Sequence, residues 1–251
     1  MPDPLVASLA NSIDVLRVLS SAPRGLSNAE IASRTGTTRA TARRLLLTLE
    51  ELGYVRGDGS RFRLRPRVME IGQRYLDGLG LPALARPHLE RLCATVNDTC
   101  SLTILDGYSV VYANRVKAQR IMAISIAVGT RIPAYRVSSG RAMLAMLPDD
   151  ELTSWIDGAR AHCAAEGADD FPEDFDDIIR AARSDGYALV DREFNPMLRS
   201  IAAPVLGHGG RAVAAVNVST AVSRTSAQQL REDVLPQLLQ TTAEISDALT
   251  R

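Results

Sequence analysis

The segment from Ser27 to Tyr54, SNAEIASRTGTTRATARRLLLTLEELGY, constrains this chain more than any other. It reads as two short helices joined by a tight turn. Ser27 with Glu30 three residues later is a capping box, which satisfies exposed amides at a helix start. Gly36 supplies the turn, because a residue without Cβ adopts positive φ freely. Thr37 or Thr38 caps the next helix. On that helix Ala42, Leu45, Leu49 and Leu52 recur at helical spacing and predict a buried stripe. Arg39 and Arg43 lie away from it, Thr38 and Thr41 sit near the helix start, and Arg44 borders the stripe. Arginine can donate two hydrogen bonds to a guanine edge, and threonine can touch a thymine methyl or a phosphate. Residues near the N-terminus of a recognition helix are the ones that reach base edges. The pattern predicts a helix-turn-helix that reads DNA.

The flanks extend that reading. Leu5, Leu9, Ile13, Leu16 and Leu19 predict an amphipathic helix over residues 5–20, ended by Pro23 and Gly25. After Gly53 the run YVRGDGSRFRL places two short alternating stretches around Gly57-Asp58-Gly59, a hairpin. A hairpin directly after a recognition helix makes a winged helix. Its Arg56, Arg61 and Arg63 can grip phosphates, which adds affinity and salt dependence but little sequence information. The candidate DNA contacts are Ser27, Thr37, Thr38, Arg39, Thr41, Arg43, Arg44, Arg56, Arg61 and Arg63. The charge distribution agrees: residues 1–75 hold 12 Arg against 7 acids, a charge of +5. The remainder holds 17 basic against 22 acidic residues, a charge of −5, so the formal net charge of zero hides a basic head on an acidic body.

Val68, Ile71, Tyr75 and Leu76 predict a linker helix whose apolar face has no partner nearby, which suits pairing with a second subunit. The body then reads as a helix over 81–97, with Pro87 in its first turn or at a kink, and a hairpin through CSLTIL and SVVYA. RIMAISIAV is a further strand, and Gly129 to Pro133 a loop. Helices follow from Ser138 to Met146, from Asp150 to Ile156 and from Phe171 to about Asp185. Residues 157–170 have no clear period and read as a loop. Strands follow at Tyr187 to Asp191, Ser200 to Leu206 and Arg211 to Ser219. Ser226 and Gln229 cap a last helix carrying Leu230, Val234, Leu238 and Leu249, interrupted at Pro236. The expected class is α+β: an antiparallel sheet with packed helices behind a winged helix-turn-helix. The expected domains are 1–65 for DNA binding, 66–80 as linker helix and 81–251 for effector binding.

Catalytic and metal motifs are missing. There is no GxSxG elbow at Ser138-Ser139, no phosphate-binding GxxxxGK[ST] and no GxGxxG after a strand. His88, His162 and His208 have no metal-ligand spacing. Cys93, Cys100 and Cys163 are odd in number and lack CxxC spacing, so they read as buried small hydrophobes in a reducing cytoplasm. No apolar run reaches the length of a membrane helix, and no signal peptide is recognisable. No cofactor is expected. Ser138-Ser139-Gly140 opens a helix, whose free amides can hold a carboxylate. Asn217 and Ser219 alternate on one strand and share a face. The alternative for these positions is ordinary capping and a solvated strand face. For the whole chain it is a metabolite-binding protein or enzyme whose head serves only for assembly.

The head motif through Leu49-Glu50-Glu51-Leu52-Gly53-Tyr54 resembles that of the IclR family of bacterial transcriptional regulators. So do ARPHLERL (85–92), VGTRIPAYRVSSGRAMLA (128–145), LRSIAAPV (198–205) and AAVNVS (214–219), all in order. The resemblance implies a winged helix-turn-helix, a linker helix, a GAF-like effector domain, and homodimers, often paired into tetramers, on double-stranded operator DNA. It implies an effector site at Ser138, Ser139, Gly140, Asp191, Ser200, Asn217 and Ser219. Within the family, RIMAISIAVGTRIPAY and AAPVLGHGGRAVAAVNVS look most like regulators of protocatechuate, 4-hydroxybenzoate and β-ketoadipate catabolism. That subgroup implies a small carboxylate effector, an aromatic or dicarboxylic acid.

Overall fold

A computed structural model describes residues 5–118 and 126–250. The chain divides into two compact units, Met1–Tyr75 and Leu76–Arg251.

In the first unit α1 (Ala7–Ser20), α2 (Asn28–Thr35) and α3 (Arg39–Glu51) precede a hairpin of β1 (Val55–Gly57) and β2 (Phe62–Leu64). The expected local chemistry is present. The Ser27 amide donates to the Glu30 carboxylate at 2.7 Å, and the Ser27 hydroxyl accepts from the Glu30 amide. Gly36 ends α2 at φ +65°, and the Thr38 hydroxyl accepts from the Thr41 amide at 3.1 Å. Val15, Leu19, Ile31, Leu46, Leu49 and Phe62 form the core.

Two expected stripes are shifted. On α3 the buried set is Ala42, Leu45, Leu46 and Leu49, while Leu52 is 51% exposed. Helices on one side and the wing on the other cover a broad stripe of α3 at i, i+3, i+4 and i+7, and Leu52 already belongs to the C-cap. On α1 the core takes the expected Leu19 together with Val15, and Leu16 packs against them, leaving Leu5, Leu9 and Ile13 exposed at 66%, 63% and 42%. Their spacing is helical, but they lie on a second stripe that the unit itself does not cover. After a 3₁₀ turn at Pro66–Val68, α4 (Met69–Leu79) likewise exposes Met69, Ile71 and Tyr75.

The second unit begins with α5 (Leu81–Val96), a helix that carries Pro87 in its interior rather than in its first turn. There follow β3 (Thr99–Asp106), β4 (Ser109–Val116), β5 (Arg131–Pro133), α6 (Ser138–Leu144), α7 (Asp149–Ala165) and α8 (Phe175–Asp185). The chain ends with β6 (Ala188–Asp191), β7 (Leu198–Leu206), β8 (Ala212–Ala221), α9 (Ala227–Gln229), a π turn over Leu230–Val234 and α10 (Leu235–Thr250), which runs on past Pro236. Among the described residues the strands form one sheet in the order β5-β4-β3-β8-β7-β6, antiparallel throughout. The class is α+β.

Alternation along the strands assigns each face. Leu102, Ile201, Val216 and Val218 point toward Leu89 of α5 and Leu238 and Ile245 of α10. Tyr112, Ala202 and Ala215 point the other way, toward Leu144, Ile156, Phe175 and Ile179 of α6 to α8.

Residues 157–165 are not a loop: α7 continues through them and buries Leu152, Ile156, Ala159 and Cys163. Its apolar period is carried by a small Ala and a Cys, too weak a signal beside Asp157, Arg160 and His162. Only residues 166–174 lack regular structure, and they are pinned from the sheet side. The Tyr135 hydroxyl donates to Asp170 at 2.5 Å, and Arg136 pairs with the same carboxylate at 3.3 Å. The expected loop at Gly129 to Pro133 contains the short β5, which pairs with β4. The strand expected at RIMAISIAV lies, for residues 120–125, outside the described residues.

Candidate functional site

The residues expected to touch DNA fall into two groups. Arg39 and Arg44 on α3 and Arg56 on β1 are exposed, and their guanidinium groups have no hydrogen-bond or ion-pair partner among the described residues. Arg43 is also exposed, its guanidinium 5.4 Å from the Phe62 ring centre. These four present positive charge from the recognition helix and the wing. The second group braces the scaffold. Arg61 donates to the Gly25 carbonyl at 2.8 Å and lies 3.7 Å from Glu30. Arg63 donates to the Arg24 carbonyl at 3.2 Å and lies 3.5 Å from Asp58. Asp58 in turn accepts from the Ser60 and Arg61 amides, and these bonds hold its carboxyl below the usual carboxylate range. Ser27 is engaged in its capping box, Thr37 shares a hydroxyl contact of 2.9 Å with Thr35, and Thr38 and Thr41 bond each other at 3.0 Å.

In the second unit the expected effector residues converge on the sheet face beneath α6. The Ser138 hydroxyl donates to the Ser200 hydroxyl at 2.8 Å, and the Asn217 amide donates to the Ser219 hydroxyl at 2.9 Å. Ser200 and Ser219 are register partners across β7 and β8. A narrow cleft is lined by Tyr112, Val137, Phe194, Ser200, Asn217 and Ser219 among others. Gly140 has a different place. A Cβ there would collide with the Ala134 carbonyl, so the glycine lets α6 sit against the preceding turn and so seats Ser138 and Ser139. Asp191 is also not open to a ligand: both its oxygens accept from Arg199 at 3.0 Å.

Arg199, two residues before Ile201 on β7, shares the α5–α10 face of the sheet, and its pairing with Asp191 there is missed by sequence reasoning. It is 6% exposed, and its remaining nitrogen donates to the Thr225 carbonyl at 2.6 Å. Its β7 position opposite Asp191 on β6 is the only sequence signal, and it needs the strand register to be seen. Further polar groups sit on the cleft face with Asn217. Ser101 and Thr103 on β3 are fully buried, and Ser101 is the register partner of Asn217 on one side and Arg115 on the other.

Five buried side-chain atoms in the described residues have no hydrogen-bond partner, and four belong here: Thr103 Oγ1, Arg115 Nε, Ser139 Oγ and Asn217 Oδ1. A buried polar atom without a partner costs about 1–3 kcal/mol. Four of them together, on a face otherwise made of well-packed apolar side chains, mark a place built to receive a polar molecule. Donors and acceptors alternate there, which suits a carboxylate or hydroxyl group. No His, Cys, Asp or Glu cluster able to hold a metal is found among the described residues, and none of these hydroxyls has a base beside it.

Comparison with known proteins agrees with both halves. The family profile for the "IclR helix-turn-helix domain" matches residues 8–59, and that for "Bacterial transcriptional regulator IclR C-terminal" matches residues 73–247. The chain is 33% identical over 249 residues to the Pca regulon regulatory protein of Pseudomonas putida, covering 99% of this chain and 85% of that protein. It is 32% identical to the p-hydroxybenzoate hydroxylase transcriptional activator of Acinetobacter baylyi, covering 96% and 90% of the two chains. A solved structure from Rhodococcus sp. RHA1 superposes at TM-score 0.82 with 43% identity over 98% of each chain. The inducer-binding domain of the PobR transcription factor from Acinetobacter, solved as a double mutant with 3-hydroxybenzoic acid, superposes at TM-score 0.57. It has 27% identity over 66% of this chain and 97% of its own.

Proposed function

The chain belongs to the IclR family of bacterial transcriptional regulators, and from that premise we propose how it works: it binds operator DNA as a homodimer and senses a small carboxylate. Its similarity to the Pca regulon regulatory protein and the p-hydroxybenzoate hydroxylase transcriptional activator supports a place among regulators of aromatic catabolism. In the proposed division of labour residues 1–65 bind DNA, 66–80 link, and 81–251 sense. Arg39 and Arg43 read base edges from α3 with Thr38 and Thr41. Arg44 and Arg56 hold phosphates, while Ser27, Thr37, Arg61 and Arg63 keep helix and wing in position. The effector sits between α6 and the sheet, against Ser138, Ser139, Ser200, Asn217 and Ser219, with Asp191 and Gly140 shaping the site from behind. The protein acts in the cytoplasm, where its operator is.

The observation that carries the sensing half is the group of four partnerless buried polar atoms. The dimer is supported by the exposed Leu9 and Ile13 of α1 and Ile71 and Tyr75 of α4, apolar stripes that a second copy would cover. A two-fold dimer sets its recognition helices about one DNA turn, or a multiple, apart on a palindromic site. The effector acts by binding two arrangements of the dimer unequally.

A mobility-shift assay on the DNA just upstream of the coding region tests the output. A specific complex that weakens steeply with salt is expected. A complex with no sequence preference, or one unchanged by Arg39→Ala, contradicts it.

A further inference from the structure

Three arginines of the second unit are withdrawn from solvent, Arg115 and Arg141 on the α6 side of the sheet and Arg199 on the other, and they are not equivalent. Arg141 is 3% exposed and forks onto Glu193 with both terminal nitrogens, while its Nε donates to the Tyr135 carbonyl at 2.8 Å. Arg199 is 6% exposed and forks onto Asp191. Both charges are neutralised and their donors are used. Arg115 on β4 is half-buried, yet it has no carboxylate within ion-pair distance among the described residues. It makes one long contact, 3.4 Å from Nη1 to the Ser101 hydroxyl, and lies 5.9 Å from the Tyr112 ring centre. Its Nε is buried and unpartnered. Burial also lowers its pKa from the usual arginine value.

A half-buried guanidinium kept without a counter-ion is costly in the ligand-free protein, because desolvation is not offset. Its position says what would offset it. Ser101 stands between Arg115 and Asn217 on one rung of the sheet. The guanidinium contacts Ser101, and the partnerless Asn217 and Thr103 oxygens share that face of the sheet. Tyr112 is shared: its ring faces Arg115, and it also lines the cleft with Asn217 and Ser219.

We propose that Arg115 is the carboxylate anchor of the effector site, and that the site is built for a monocarboxylate rather than a dicarboxylate. The inference rests on the sensing function proposed above and adds the polarity of the ligand to it. One carboxylate is met by a fork-shaped donor with a bidentate geometry to offer. A second carboxylate at the far end of the cleft finds no free cation among the described residues, since Arg141 is committed to Glu193 and Arg199 points to the opposite face of the sheet. The uncharged body of the ligand lies against Tyr112, Val137 and the Ser200–Ser219 pair, which accepts a hydroxyl at that end.

Isothermal titration of the full-length protein with three probes tests this: 4-hydroxybenzoate, its uncharged analogue 4-hydroxybenzamide, and adipate. Wild type should bind 4-hydroxybenzoate at least about tenfold tighter than either of the others. Arg115→Gln should lose about tenfold to a hundredfold in 4-hydroxybenzoate affinity and little toward the amide. Its ligand-free melting temperature should be unchanged or higher, because an unpaired charge has been removed. Arg115→Lys should recover part of the affinity. Equal binding of 4-hydroxybenzoate by Arg115→Gln, or adipate binding as tightly as 4-hydroxybenzoate to wild type, overturns the anchor and leaves the sensing function standing. If none of the three probes binds wild type, the sensing function falls and the anchor falls with it.

Discussion

Asp191→Asn should destabilise the second unit. The wild-type carboxylate takes two hydrogen bonds of 3.0 Å from Arg199, whose side chain is 7% exposed against 35% for Asp191. Removing one partner of a buried pair costs about 3–5 kcal/mol because the other charge is stranded. Asp191 is about a third exposed, so water screens part of this and about 2–3 kcal/mol is the fair expectation. For a domain of this size that is a fall in Tm of about 4–12 °C. The chain has a single tryptophan, Trp155 on α7, so urea unfolding followed by its fluorescence reads this unit alone. The midpoint should fall with little change in slope. A double variant, Asp191→Leu with Arg199→Met, should recover much of the lost stability, since apolar replacement of a whole pair is often neutral or better. A stability for Asp191→Asn within about 0.5 kcal/mol of wild type, the range of an ordinary surface change, would refute the claim that the pair ties β6 to β7.

On DNA, Arg39→Ala should cost about 1–3 kcal/mol and relax preference at one base position, whereas Arg56→Ala should weaken all sequences alike and reduce the salt slope by about 0.9; identical footprints and slopes for the two variants would show the roles are misassigned. Arg61→Ala should lower the melting temperature of the first unit, because it cuts the tie to the Gly25 carbonyl; an unchanged melt with weaker DNA binding would make Arg61 a direct contact instead. Gly140→Ala forces a Cβ into the Ala134 carbonyl and should cost about 1–3 kcal/mol together with effector binding; a variant as stable and responsive as wild type would mean α6 is not seated as described. Glu244 is held below the ordinary carboxylate range by hydrogen bonds from Gln240, His88 and Arg91. A depressed folded value means its stabilisation is present above the unfolded value and lost as pH falls through the folded one, so Glu244→Gln should flatten the acid limb of the Tm profile between about pH 5 and 3. Parallel profiles would refute that coupling.

Much of this architecture is legible in the sequence because local chemistry dictates it. The Ser27–Glu30 and Ser226–Gln229 boxes start helices where side-chain reach requires them. Gly36 at φ +65° marks the turn, and alternation along β8 separates Val216 and Val218 from Asn217 and Ser219. What is illegible depends on partners distant in the chain. The Leu5-Leu9-Ile13 spacing is truly helical, but which face of α1 meets the core is decided by α2 and α3. The C-terminal half of α7 hides because Ala159 and Cys163 carry its period. The roles of Arg115, Arg141 and Arg199 are invisible for the same reason. Three arginines on α6, β4 and β7 differ in whether the fold brings up Glu193, Asp191 or no acid at all.

The central claim is that one molecule couples a small carboxylate to operator binding. Fluorescence anisotropy of the upstream DNA, titrated with protein at fixed salt with and without saturating 4-hydroxybenzoate, tests it most directly. The account predicts a salt-sensitive, sequence-specific complex whose affinity changes about 5- to 150-fold with the ligand, and DNA should change ligand affinity by the same factor. Tight ligand binding that leaves the affinity for DNA untouched would contradict it.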